Sequence, residues 1–353
     1  MSNDEKKASL SRRGIMGIGA AIAAAVPFAV KAQAPATPPP AAGGAPAGGR
    51  GGRGAAGGAG GGAPRLTPGG SGPIKVLLIT KYHPFDRENL FLAFDKMGDD
   101  ITWTHVEHPA AEAFFDPKLA ANYDVLMFYD AYTGRVQKPG ATPDARPVTS
   151  YDPPSKELVA NFKQLLQNGD KGFVFLHHAI AAWVHSWPAG VNGSNAYVEV
   201  MGAAADWGTP IKNIRGVDYP ASGAKGGNPQ HITVVDKTHP ITAGVADFDV
   251  VDESYLCPMF EDSVHPLLRS SFMPTAAEFA NRGPAIASHP PGSNLTGWVK
   301  TAERSPIAYI QHGHDNTTWS NPSWAKLVLN AIKWAASPES KAWAKANPKK
   351  IFV

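Results

Sequence analysis

Residues 172–179 read GFVFLHHA, an unbroken apolar run that passes directly into two histidines and a small-residue turn. A short run without polar alternation is the signature of a strand covered on both faces. The same signature recurs upstream at 74–80 (IKVLLIT) and 123–129 (YDVLMFY), and 101–107 (ITWTHVE) reads as a further strand. Helix signals lie between these runs. Asp86 caps a helix through Met97 closed by Gly98, and residues 154–168 form an amphipathic helix closed by Gly169. This alternation predicts an α/β fold, a doubly wound, mostly parallel sheet flanked by helices with right-handed crossovers. Further strands are expected at 231–235, 248–251, 295–300 and 306–311, and Pro322–Ala336 reads as a closing helix with a broad apolar face. From 179 to 230 the periodicity fails among Gly, Pro, Asn and Trp, as expected of active-site loops or an inserted lid.

The segments before this core differ in kind. Residues 1–34 carry Lys6, Lys7, Arg12 and Arg13, then an apolar run interrupted by Pro27, then Ala32-Gln33-Ala34. That pattern is a removable signal peptide of twin-arginine type, with Ile15-Met16 after the arginine pair. It predicts passage through the twin-arginine translocase to a periplasmic or secreted location, without stable membrane insertion after cleavage. Residues 35–73 are almost wholly Pro, Ala and Gly and are expected to be a disordered linker. The folded domain is placed at 74–337 and a C-terminal tail at 338–353.

Eight of the 33 basic and two of the 30 acidic residues lie before Ile74, leaving 25 against 28 in the remainder. That slight acidity argues against nucleic acid as a partner. The single cysteine, Cys257, allows no intrachain disulfide and reads as a packed thiol, so stability must come from the core.

Ligands of doubly wound sheets gather at the carboxyl ends of strands, near the switch in strand order. The polar residues following each strand are therefore the site candidates: Tyr82-His83-Pro84, Asp130, His177-His178, Asp252-Glu253-Ser254-Tyr255 and His312-Gly313-His314-Asp315. His177 occupies the position where an amidotransferase or α/β-hydrolase carries its nucleophile on a strained elbow, and no Cys or Ser stands there. On an extended segment the rings of His312 and His314 would share a side. With His177 and a carboxylate, Glu253 or Asp315, they could hold one divalent ion, Zn, Mn or Fe; the alternative is that the imidazoles make structural or substrate hydrogen bonds. Of the adjacent acids Asp252 and Glu253 only one faces the site, and Glu253, with Tyr255 on its side, is the choice for acid/base work. Catalytic candidates are thus His177, Glu253 and His314. Substrate-binding candidates are His83, Asp130, His178, Trp183, Tyr255 and Trp319, with loop indoles (Trp183, Trp187, Trp207, Trp319) available to stack on sugar rings. Trp298, within a strand, reads as core.

In the order of these motifs the chain resembles the ThuA-like, or trehalose-utilisation, family, over about 74–336. Supporting segments are Tyr123-Asp124-Val125-Leu126, Leu176-His177-His178-Ala179, Thr238-His239-Pro240-Ile241 with Gly244, Asp252-Glu253-Ser254-Tyr255, Gly297-Trp298-Val299 and His312-Gly313-His314-Asp315. Glu303-Arg304-Ser305-Pro306 departs from the family's Gly-Lys-Gly-Arg, and 203–230 matches loosely. The resemblance implies a class I glutamine amidotransferase-like (flavodoxin-like) fold without the amidotransferase nucleophile, with His177, Glu253 and His314-Asp315 in the pocket. It further implies a role in sugar catabolism, with small-molecule carbohydrates, 3-keto-glycosides among them, as substrates. The competing expectation is a non-catalytic periplasmic carbohydrate-binding protein.

Overall fold

The computed structural model describes residues 68–133, 135–138 and 148–353. The expected signal peptide and the linker up to residue 67 lie outside the described residues. In chain order the elements are β1 (Ile74–Lys81), α1 (Arg87–Asp95), β2 (Ile101–Glu107), α2 (Pro117–Ala120), β3 (Val125–Asp130), β4 (Arg135–Lys138), β5 (Val148–Tyr151), α3 (Lys156–Asn168) and β6 (Gly172–Leu176). There follow α4 (Ala196–Met201), β7 (Ile211–Ile214), β8 (Val217–Tyr219), β9 (Gly223–Val234), β10 (Phe248–Leu256), β11 (His265–Ser270), β12 (Leu295–Ala302), β13 (Ser305–Ile310), α5 (Asn316–Trp319), α6 (Pro322–Ala336) and α7 (Pro338–Ala346).

Nine strands form one sheet in the order β10-β9-β11-β12-β13-β6-β3-β1-β2. Its centre, β13-β6-β3-β1-β2, is parallel throughout. On the other side β12, β11, β9 and β10 add antiparallel pairs. Every residue of β3, β6 and β13 is buried, and β1 is buried from Val76 to Thr80, whereas the edge strand β2 buries only Ile101. Alternate side chains feed two cores. Leu77, Phe128 and Phe175 pack with Phe162 of α3 on one face, while Val76, Met127 and Val174 pack with Leu327 and Ala331 of α6 on the other.

Both expected helices form, although α1 ends at Asp95, short of the expected Met97 and Gly98. Asp86 accepts from the Asn89 amide, Ser155 caps α3 through Leu158 N, and Gly169 closes α3 at φ 67°. Closer in, Gly172 is required by packing, because a Cβ there would stand 2.1 Å from the Ala335 carbonyl oxygen of α6.

Three segments differ from their sequence reading. Residues 68–73, the end of the expected linker, are tied to the domain by Gly69 N donating to Asp95 and a bridge from Gly70 to Thr102. Strand β9 begins at Gly223, inside the supposed loop region, because cross-strand pairing with β10 overrides the weak propensity of GAKGGNPQ. The segment 338–353 contains α7 and buries Ile351 and Phe352 against the sheet-side core. Among the described residues no helix is long and apolar enough to cross a membrane.

We expect Gly172→Ala to lower stability by about 1–3 kcal/mol, because the added methyl meets backbone and the helix must shift. Urea unfolding of both proteins checks this, and an unchanged midpoint would contradict the close approach.

Candidate functional site

Strand order reverses between β1 and β3, and at their carboxyl ends a pocket of about 550 Å³ opens, lined by Tyr82, His83, Ala131, Thr133, Ala181, Asp206, Trp207 and Gly208. This is where doubly wound sheets place ligands. The inserted segment supplies its far wall. Asp206 is locked by Gly208 N, Thr209 N and His185 Nε2, which fixes the loop bearing Trp207.

At the end of β6 the chain turns sharply. His177 adopts φ 51°, a left-handed conformation unusual for a non-glycine residue. Such strain persists only where the surroundings over-determine it. Here Tyr309 Oη donates to the His177 carbonyl, and His177 Nδ1 lies 2.8 Å from the Gln311 carbonyl. A carbonyl can only accept, so Nδ1 carries the hydrogen and Nε2 presents its lone pair. Nε2 receives the Tyr255 hydroxyl at 2.9 Å and lies 3.0 Å from His314 Nδ1. Glu253 Oε2 stands 3.5 Å from both imidazole nitrogens. Among the described residues these three, His177, Glu253 and His314, form a set of ligand atoms all within 4.8 Å of one another.

The cluster divides by charge. Burial opposes ionisation of Glu253, yet the imidazoles of His177 and His314 hold its carboxyl well below the usual range, His314 by a hydrogen bond and both by their charge when protonated. The hydrogen bond to Glu253 raises His314, against the effect of its burial. His83 is pushed down to about 4 by burial and then by His177 and His314, and burial drives the wholly enclosed His178 well below its ordinary value. The His83 ring lies 4.3 Å from His178 and 5.2 Å from His314, so neutral imidazoles back a charged pair. Tyr255 is held a neutral phenol by burial and the nearby Glu253 charge.

The other expected site residues take different places. His312 is buried, its Nε2 3.5 Å from Gln230 Oε1, and Asp315 caps α5 through Thr317 N. Neither joins the three-residue set. The alternation assumed for His312 and His314 ends because β13 stops at Ile310 and Gly313 sits at φ 140°. Trp183 and Trp319 are buried rather than facing the pocket: Trp183 packs edge-on against Tyr132, and Trp319 Nε1 donates to the Gly313 carbonyl. Trp187 and Trp298 are core, leaving Trp207 as the loop indole on the pocket, its ring 5.3 Å from Tyr255. Asp130 lies beneath the pocket, fully buried, 3.5 Å from His108 Nε2. Burial pushes its carboxyl up to about 7, against the pull of backbone N–H groups, and brings His108 down to about 4. Cys257 is buried and its thiol is pushed up to about 12, so it is inert.

Asp252, set aside by the alternation argument, proves to organise the site. Its Oδ2 accepts from Gly313 N and Thr318 Oγ1 at 2.7 Å, and its Oδ1 from His314 N at 3.2 Å. It faces away from the pocket, as the alternation required, and from there holds the loop that carries His314.

The trehalose-utilisation (ThuA) family model matches residues 75–335. The chain belongs to the ThuA family. No curated protein matches it. Among solved structures it is similar to a putative ThuA-like protein from Parabacteroides merdae, at 15% identity and a TM-score of 0.47, covering 75% of this chain and 90% of that one. It is also similar to a cytoplasmic protein from Salmonella typhimurium LT2, at 10% identity and TM-score 0.42 with coverages of 74% and 99%. A glutamine amidotransferase from Thermotoga maritima aligns at 9% identity and TM-score 0.36, with coverages of 75% and 98%. At these values the likenesses carry nothing about activity.

Two outcomes are expected. Asp252→Asn replaces an acceptor of four donors, the Glu253 amide included, by a group that must itself donate, and should destabilise the fold by about 1.5–3 kcal/mol. Its His314 imidazole signals should broaden by NMR; sharp, unshifted signals would refute the anchoring role. Asp130, whose folded value lies above its ordinary 3.8, favours the protonated state, so its cost begins above that pH and is complete above about 7. Asp130→Asn should therefore raise thermal stability more at pH 8 than at pH 5, and an equal shift at both would contradict this.

Proposed function

We propose that this ThuA-family protein works on carbohydrates by acid/base chemistry at the His177, Glu253 and His314 cluster, with 3-keto-glycosides as the substrate class. The observation that carries the reading is the convergence of His177 Nε2, His314 Nδ1 and Glu253 Oε2 beside a pocket at the strand-order switch. The elbow that would carry a nucleophile bears an imidazole, which suits proton transfer rather than acyl-enzyme chemistry.

A ketone at C3 acidifies the C2 hydrogen. In the proposed step His177 Nε2 takes that proton, and the C2–H electron pair becomes the C2=C3 bond of an enolate whose charge rests on O3. Collapse of the enolate re-forms the C3 carbonyl, makes the C1=C2 bond and breaks the C1–O bond to the aglycone. His314, its imidazolium favoured by Glu253, donates the proton that the departing oxygen needs. The Gln311 carbonyl fixes the His177 tautomer for this role, and the Tyr255 hydroxyl, 2.9 Å from Nε2, must release that nitrogen as it takes the proton.

With both imidazoles deprotonated, and so in place of the proton transfers just described, the same three atoms would suit one divalent ion, Zn, Mn or Fe, because two imidazoles and a carboxylate are its natural donors. The His177 Nδ1 hydrogen bond is the outer-shell contact that metal-bound histidines make. Such an ion would supply Lewis-acid stabilisation of a sugar oxygen. We place this work in the periplasm, after twin-arginine export of the folded chain.

Purified protein should convert a 3-keto-disaccharide with release of the second sugar, and His177→Ala and His314→Ala should each lower turnover by at least about 100-fold. Retained turnover in both would overturn the assignment, and saturable binding of unchanged sugar would identify a binding protein. Elemental analysis of protein purified without chelator separates the two forms: metal-free protein with full turnover supports proton transfer by the imidazoles, whereas one divalent ion per chain, lost in the His177→Ala/His314→Ala double variant, identifies the metal-assisted form.

A further inference from the structure

On β12, Trp298, Lys300 and Ala302 face the core layer that contains α4, and Trp298 Nε1 donates to the Met201 carbonyl. Apolar side chains belong at such a position. A lysine stands there, only 5% exposed. Its ammonium donates to the Glu199 carbonyl in the last turn of α4 and, among the described residues, to no other acceptor. A lysine capping a helix end can do so from the surface, so the cap does not explain burial. Two of the three N–H donors are left for something else, and leaving such donors unmet is costly.

Lys300 borders a cavity of about 400 Å³ together with Asn192, Arg215, Trp343, Lys349 and Lys350. Arg215 is already committed, with Nε and Nη2 each 2.9 Å from the Glu199 carboxylate and Nη1 2.9 Å from Asp262. Four cations, Arg215, Lys300, Lys349 and Lys350, therefore line the cavity against two carboxylates, Glu199 and Asp262. Burial lowers Lys300 to about 8, which leaves it mostly an ammonium at neutral pH. On the open side Trp343 presents an indole that is 37% exposed. The register separates this cavity from the histidine cluster: Lys300 pairs with Ile307, which pairs with Phe173, four residues and roughly 13 Å of strand before His177.

We propose that this cavity is a second ligand site, taking the oxyanion group of an acidic saccharide, with the Lys300 ammonium on the anion and the Trp343 indole against the ring. A carboxylate and a phosphate ester share this chemistry. An ammonium serves either as a point charge, and an indole face suits the apolar side of a pyranose. The site is independent of the proposed turnover at the opposite end of the sheet.

Calorimetric titration of the full chain with glucuronate, glucose 6-phosphate, inorganic phosphate and glucose tests the proposal. At least one acidic sugar should bind, with glucose weaker by about tenfold or more, and the preferred acid identifies carboxylate or phosphate as the ligand group. Lys300→Met should weaken that binding by about tenfold or more. Trp343→Ala should weaken the acidic sugar and leave inorganic phosphate unchanged. Lys349→Ser/Lys350→Ser, which alters only exposed side chains, should weaken binding by about threefold and keeps the test valid if Lys300→Met does not fold. The proposal fails if no acidic probe binds the parent protein, if glucose binds equally well, or if neither lysine variant weakens binding.

Discussion

The carboxylate of Asp252 ties two distant parts of the sheet together at the point where chemistry is possible. It sits midway along an edge strand, yet it receives the amides of Gly313 and His314 and the hydroxyl of Thr318, all from the chain leaving a central strand. Three donors from across the sheet, besides the adjacent Glu253 amide, make one buried carboxylate a strong anchor, since hydrogen bonds to a charged acceptor are about twice as strong as neutral ones. Everything downstream inherits that anchor: the Gly313 turn, the bond from Trp319 to the Gly313 carbonyl, and the position of the His314 imidazole. The neighbouring Glu253 is thereby left free to face His177 from the opposite side of the strand.

The elbow at His177 depends on the same economy of backbone. A left-handed residue directly after a buried parallel strand projects its side chain over the carboxyl ends of the sheet, where ligands collect. The fold keeps this strained geometry with an imidazole on it. Tyr309, Tyr255 and the Gln311 carbonyl hold that imidazole by its backbone and by both ring nitrogens. A ring so constrained has one tautomer and one orientation, which serves proton transfer and metal ligation alike. The neutral His83 and His178 behind it add imidazole bulk without adding charge, so the Glu253 carboxylate remains the partner of His314.

The protein places polar groups under its core sparingly and gives each a different resolution. Asp130 and His108 meet as a buried pair whose charges are both suppressed by burial. Asp206 is satisfied by a loop folded around it. Lys300 is satisfied only in part, and it borders a cavity. These differences follow from donor and acceptor counts, since a carboxylate accepts several amides within a single loop, whereas an ammonium needs acceptors from several directions.

What the sequence by itself determined was the central sheet and the chain's family. The runs at 74–80, 123–129 and 172–176 are apolar at every or nearly every position, and only a strand covered on both faces buries all of them. Asp86, Ser155 and Gly169 mark helix ends by local chemistry that needs no tertiary context. His177 and His314 were legible as site residues because they follow strands, whereas Glu253, expected just after a strand at 248–251, lies inside β10, which runs on to Leu256. Tertiary structure alone decided the antiparallel flank, where β9 and β11 gain their regularity from cross-strand partners rather than from their own side chains. It also decided which polar residues converge. Alternation placed His312 beside His314, but the strand ends before either, and the chain sends one ring into the core and the other to Glu253. Likewise four loop tryptophans read as stacking surfaces until packing claimed Trp183, Trp187 and Trp319, because exposure belongs to the folded surface and not to position in the chain.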